Sequence, residues 1–326
     1  MNFDALYIVV ATLTVLLAVG FLCRKVGIID DTASKRLSKL ILMVGQPAMI
    51  IYSMSSSEYS DETVNIALIM LVLGFVFHAL LALLGYFLAL PYKKVPDEKK
   101  ISEFSFMFAN CAFIGFPIFE ALIGPIGLFM ASFLTFSFNI LLWTWGLGIF
   151  ARGRKDIKLN LKKVFLNFGT VPCIIGLIFY LLKAPSVGFE IPGFLMKAMG
   201  YLSNLCTPIS VLVTGALIAT QTPKKIFFTW KLYYFNIAKL FILPLIVCII
   251  SKIVLIAVPV EGLEIYAIFA TAAAALPAAS SVTMMSETYG LDSGYSSLIV
   301  GTSSVLSVLS LPLTLTVAQW ILALPI

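Results

Sequence analysis
Apolar residues fall into ten runs along the chain, at about residues 5 to 23, 36 to 55, 63 to 90, 101 to 123, 125 to 151, 164 to 183, 192 to 219, 230 to 258, 263 to 287 and 294 to 323. A helix rises about 1.5 Å per residue, so roughly 20 apolar residues cross the hydrocarbon of a bilayer. Each run therefore predicts a membrane-spanning helix. The whole pattern predicts an all-α polytopic membrane protein with ten spans.

Two runs carry a defect. In span 4, Asn110-Cys-Ala-Phe-Ile-Gly-Phe-Pro117 sets Gly115 and Pro117 deep in apolar sequence; proline withdraws an N–H and clashes with the carbonyl of Phe113. Span 9 answers it with Ala272-Ala-Ala-Ala-Leu-Pro277, followed by Ala278-Ala-Ser-Ser281. Lipid cannot solvate backbone groups freed at that depth, so broken helices must be buried in protein or line a cavity. The expectation is that both helices break at their prolines, cross, and form a site.

The defects recur at a fixed offset. Pro47 and Pro208 are 161 residues apart, Pro117 and Pro277 are 160 apart, and spans 1 and 6 start about 159 apart. This predicts two five-helix repeats, residues 1–151 and 164–326, joined by a basic linker at 152–163. Because five is odd, the second repeat enters the membrane from the opposite side. Inverted repeats with one discontinuous helix each are a common architecture of secondary transporters.

Composition narrows the class. The 326 residues are 60% hydrophobic and 12% charged, which excludes a water-soluble globule. The net charge of +6 does not point to nucleic acid, because the basic residues lie in short loops. Eighteen of the 22 Lys and Arg follow spans 1, 3, 5 and 7, at Arg24 to Lys39, Lys93 to Lys100, Arg152 to Lys163 and Lys224 to Lys231. The opposite loops carry Glu58, Asp61, Glu62, Glu190, Glu261 and Glu264. The positive-inside rule then places both termini on the non-cytoplasmic side of a cell (inner) membrane. Met1 to Asp4 has no basic region and no cleavage pattern follows, so span 1 reads as a helix and not as a signal peptide. The five cysteines are scattered, with no CxxC pair and no nearby His, and suit packing better than metal binding. No cofactor or metal is expected.

If spans 4 and 9 cross, the half-helices after Pro117 and Pro277 aim partly positive N-termini into the site, which suits a small anion. Candidate substrate-binding residues are Asn110, Gly115, Pro117, Pro277, Ala278, Ser280, Ser281 and, from span 2, Gln46. Asn110 has a second reading, as a partner for backbone freed by the break. Gly115 and Ala272 to Ala275 have another, as small residues that let helices approach. Gln46 and Asn204 serve a cavity or helix packing. Ionisable groups inside a span cost about 3 kcal/mol each near its centre. His78 in span 3 and Lys239 in span 8 stand 161 apart, at matching places in the two repeats. Either they supply positive potential and proton coupling, or Lys239 snorkels to the interface and His78 bonds a neighbouring carbonyl. An enzyme would need a nucleophile with its base, a zinc site or paired aspartates in the spans, and the sequence offers none.

The motifs Asn110-x4-Gly115-x-Pro117, Ala274-Ala-Leu-Pro277 and Tyr289-Gly-Leu-Asp292, with Leu311-Pro312-Leu313, resemble the auxin efflux carrier family. So do Leu40-Ile-Leu-Met-Val-Gly-Gln-Pro47 and Lys239-Leu-Phe-Ile-Leu-Pro244, and the likeness runs the length of the chain. The family is similar in fold to bile-acid sodium symporters and sodium/proton antiporters, within the bile acid/arsenite/riboflavin transporter-like group. The resemblance implies a scaffold of spans 1, 2, 6 and 7 and a transport domain of spans 3 to 5 and 8 to 10. It also implies elevator-type export or exchange of small organic acids, commonly as a homodimer, with the anion held by Asn110 and the half-helix ends at Pro117 and Pro277. The short linker matches prokaryotic members. Span 3 lacks the Asp-Lys pair of plant members, which speaks against auxin itself. The cargo class is then a mono- or dicarboxylate, and dicarboxylates such as malate or malonate fit by analogy with bacterial relatives. Proton coupling stays open; sodium coupling is not supported, since the acidic pair of an antiporter is absent from the spans. A uniporter, a channel or a membrane receptor is the alternative.

Overall fold
A computed structural model of the chain describes residues 3–157, 160–220, 229–260 and 262–324. The expected charges Lys158, Lys224, Lys225 and Glu261 lie outside the described residues. Among those residues the fold is helical, with one isolated antiparallel bridge and no strand.

The first half contains α1 (Phe3–Lys25), α2 (Asp31–Leu40) running through a π turn into α3 (Gln46–Ser56), α4 (Asp61–Leu88), α5 (Pro96–Met107) and α6 (Phe116–Ile123). It ends with α7 (Pro125–Leu141), which continues through a π turn into α8 (Leu147–Ala151). After the short α9 (Leu161–Phe165), the second half contains α10 (Thr170–Leu182), α11 (Gly193–Asn204), α12 (Cys206–Ile218) and α13 (Trp230–Ile237). A π turn leads from α13 into α14 (Leu243–Ala257), followed by α15 (Glu264–Ala275), α16 (Ser281–Tyr289) and α17 (Ser293–Ala323). Seven of these helical stretches are long and apolar enough to cross a membrane, and three shorter apolar helices, Cys111–Ile123, Thr170–Leu182 and Glu264–Ala275, accompany them. The protein is therefore a polytopic membrane protein, and helix boundaries fall within a few residues of most apolar runs.

Packing follows side-chain size. The helices α1 and α12 touch backbone to backbone: a Cβ added to Gly20 would lie 2.1 Å from the Leu212 carbonyl oxygen, and one on Gly215 2.1 Å from that of Leu17. Small residues permit that approach where no water-driven collapse exists between helices. Elsewhere α3 lies on α10 and α11, α4 on α7, and α14 on α15.

Prolines are absorbed in a recurring way. Pro47, Pro117 and Pro244 each sit in the first turn of an α-helix that directly follows a π turn, at Ile41–Gly45, Cys111–Gly115 and Ala238–Ile242. The extra residue in a π turn loosens the ladder where proline cannot donate. At Pro244 the carbonyl left without its usual donor, Leu240 O, accepts from Thr314 Oγ1 at 2.9 Å, across from α17.

Candidate functional site
The two interrupted helices meet at their interruptions. Helix α5 ends at Met107 and the chain runs extended through Phe108 and Ala109; α15 ends at Ala275 and the chain stays open from Leu276 to Ser280. The open segments pair as an antiparallel bridge between Ala109 and Ala278. Asn110 N–H donates to Pro277 O at 2.8 Å, and Ala279 N–H donates to Phe108 O at 3.1 Å. A third donor, Ala278 N–H, finds Ser303 Oγ of α17 at 3.2 Å. Backbone groups that lipid could not solvate are thus satisfied inside the protein. Ala272 to Ala275 are fully buried here, their small side chains leaving room for the crossing chain.

The position of the first break corrects the expectation. Pro117 does not interrupt its helix; the break lies about two turns earlier, and helix resumes at Cys111. Asn110 is its cap: its backbone oxygen accepts from both Ile114 N–H (3.3 Å) and Gly115 N–H (3.1 Å), and its Oδ1 accepts from Phe113 N–H at 3.3 Å. A side-chain oxygen at the cap satisfies one of the orphan donors of a helix start, which explains why the break settles on Asn110. The Nδ2 of Asn110 has no hydrogen-bond partner among the described residues. Pro277 behaves as expected, sitting in the open segment.

The remaining candidates divide. Gly115 closes the π turn against span 9: an added Cβ would press to 2.8 Å on Leu276 Cδ1 and 2.9 Å on Phe119 Cε2. Ala278 is buried in the bridge, and Pro117 is half-buried in α6. Ser280 occupies the cap position of α16 without a capping bond, and Ser281 Oγ is buried without a partner. Gln46 is buried in the first turn of α3, which packs chiefly on α10 and α11; Asn204 is exposed at the end of α11.

His78 and Lys239 both approach the crossing. His78 is 1% exposed; its Nδ1 pairs with Gly74 O at 2.7 Å, and its ring lies 5.9 Å from that of Phe108. Lys239, in the π turn between α13 and α14, does not snorkel. It is 0% exposed, and its Nζ donates to Phe106 O at 3.1 Å. That carbonyl would ordinarily serve Asn110 N–H, which the bridge has taken to Pro277.

A narrow crevice runs beside the capped turn. It is lined by Val10, Leu13 and Leu17 of α1, Val211 and Thr214 of α12, Ile114, and Ser304, Ser307, Val308 and Leu311 of α17. Ser304 Oγ is buried there without a hydrogen-bond partner. Its lining is apolar apart from Thr214, Ser304 and Ser307.

A sequence model described as a membrane transport protein, that of the auxin efflux carrier family, matches residues 5–164 and 156–315. The chain belongs to that family. It is also similar to an uncharacterized transporter of Methanocaldococcus jannaschii, 26% identical over 224 residues, covering 66% of this chain and 70% of the relative. The protein is accordingly a membrane transporter.

Sequence reasoning missed several residues of this transporter's crossing. Ser303, Ser304 and Ser307 belong to Thr302-Ser-Ser-Val-Leu-Ser307, a polar stripe in an otherwise apolar span, and that spacing was the available signal. Glu103 was also missed. It is 2% exposed in α5 and pairs with Arg152 at 2.7 Å, the arginine being 44% exposed.

Proposed function
We propose that this transporter carries a small organic anion, a mono- or dicarboxylate, across a cell (inner) membrane by alternating access, binding it at the crossing of the two broken helices. The observation that carries the reading is the capped turn: Asn110 consumes its Oδ1 on Phe113 N–H and leaves Nδ2 free, beside the N-terminus of the helix that follows. An anion there meets a neutral donor and a partly positive helix end without a buried carboxylate at contact distance. Ser280 and Ser281 stand at the matching start of α16; Gly115, Pro117, Pro277 and Ala278 shape the turn. His78 is the candidate for proton coupling. Gln46 serves the same cavity or helix packing.

In this reading the fold is two inverted five-helix repeats, 1–151 and 164–326, with ten spans and both termini outside the cytoplasm. Spans 1, 2, 6 and 7 form the scaffold; spans 3 to 5 and 8 to 10 slide past it as an elevator, in a homodimer. The contacts of α1 with α12 and of α3 with α10 and α11 support the scaffold grouping. The test is flux of radiolabelled organic acids into proteoliposomes under a proton gradient, a sodium gradient or neither. Saturable flux that sodium leaves unchanged is expected. Flux that does not saturate would indicate a channel, and binding without flux a receptor.

A further inference from the structure
The charges around the crossing do not cancel. Four helix ends meet there: the C-termini of α5 and α15 and the N-termini of the turn after Asn110 and of α16. Their partial charges, about −0.5 for each C-terminus and +0.5 for each N-terminus, sum to about zero. Glu103 is neutralised by Arg152 at 2.7 Å. What remains is Lys239, fully buried, with no carboxylate within ion-pair distance among the described residues and one hydrogen bond, to Phe106 O. His78 and Cys111, the latter next to Asn110, are the titratable groups close enough to feel its charge.

Other basic side chains also cap helix C-termini. Lys183 donates to Ser55 O and Ser57 O, Lys252 to Leu322 O and Leu324 O, and Lys100 to Phe150 O and Arg152 O. All three are partly exposed, so water shares their charge. Capping alone does not call for an ammonium in the dry centre, since a neutral donor would serve Phe106 O at less desolvation cost.

We infer that Lys239 is the fixed countercharge of the cargo: with a singly charged anion bound the charge at the crossing is neutralised, and with a doubly charged one the crossing carries a net negative charge. This rests on the anion reading above. The membrane potential then acts weakly on the loaded step for a monocarboxylate and strongly for a dicarboxylate. It acts on the return of the empty, positive form for both.

Exchange isolates the loaded step, because the protein crosses occupied in both directions. Wild-type protein in liposomes is given radiolabelled lactate or malonate at equal concentration on both sides. Unidirectional exchange is timed at 0 and −100 mV, set by potassium and valinomycin. Lactate exchange should change less than about twofold, whereas malonate exchange should change severalfold; a whole charge crossing the whole field would give about fiftyfold. Lys239→Met should make lactate exchange as potential-sensitive as malonate exchange is in the wild type, and Lys239→Arg should not. Lactate exchange as steep as malonate exchange in the wild type overturns the inference without any variant. So does a Lys239→Met protein whose lactate exchange stays insensitive. Wild-type protein that exchanges neither acid saturably overturns the anion reading itself, and this inference with it.

Discussion

Asn110 caps a helix start with its Oδ1, and in the proposed site its Nδ2 meets the anion; the two roles separate by mutation. Its Oδ1 holds the helix start, a role worth about 0.5–2 kcal/mol that serine also fills. Its Nδ2 is the free donor. Asn110→Ser should therefore keep the thermal stability of the detergent-solubilised protein within a few degrees while weakening organic-anion binding about tenfold. Asn110→Asp should keep the cap and abolish binding through charge repulsion. Equal binding by all three proteins, measured by calorimetry, would move the site elsewhere. Ser304 tests the crevice in the opposite sense. A buried hydroxyl without a partner is destabilising by about 1–3 kcal/mol, so Ser304→Ala should raise the melting temperature. If the hydroxyl meets cargo, the same change lowers affinity. A stabilised variant with unaltered affinity would leave the crevice as packing only.

Helical elements in this chain are shaped by how each end and each proline is satisfied. Pro244 removes the donor that Leu240 O expects, and Thr314 on α17 supplies another, so two elements far apart in sequence share one bond. Thr314→Val keeps the shape and deletes the donor. It should destabilise the protein by about 1–3 kcal/mol, seen as a lowered melting temperature, and Thr314→Ser should recover most of it. The same logic explains the π turns before Pro47 and Pro117. It also explains why span 4 breaks at Asn110 and not at proline: a π turn accommodates Pro117, whereas nothing in the ladder replaces Asn110 N–H once Pro277 O has taken it.

At the scale of the whole molecule, the segment joining the two halves fastens to both broken helices. Arg152 pairs with the buried Glu103 of α5, and Arg154 donates to Tyr289 O at the end of α16. A buried carboxylate that loses its partner is costly, so Arg152→Ala should destabilise the protein by about 1–3 kcal/mol and Glu103→Gln by less. The double variant should resemble Glu103→Gln alone, a coupling that a double-mutant cycle in melting temperature reads directly. The Arg154–Asp156 pair beside it is exposed and contributes little to stability. The Arg154 guanidinium holds the Asp156 carboxyl below its ordinary range, so what it does contribute is present at neutral pH and fades as pH falls through that lowered value.

Hydropathy alone fixed the membrane class and the approximate helix boundaries, because the cost of exposing backbone to lipid leaves helices as the reading of long apolar runs. The proline and asparagine motifs marked spans 4 and 9 as special and carried the family. Sequence did not locate the break at Asn110, because whether proline interrupts a helix depends on a π turn that only the folded chain reveals. Nor did it show that Lys239 stays buried: a lysine two turns from the membrane surface can snorkel, and only the Phe106 carbonyl orphaned by the bridge holds it in. Ser303 and Glu103 became visible for the same reason. Their partners, Ala278 and Arg152, lie 25 and 49 residues away. Pairing across such distances is decided by which backbone groups the tertiary fold leaves unsatisfied and which charges it buries, not by local pattern.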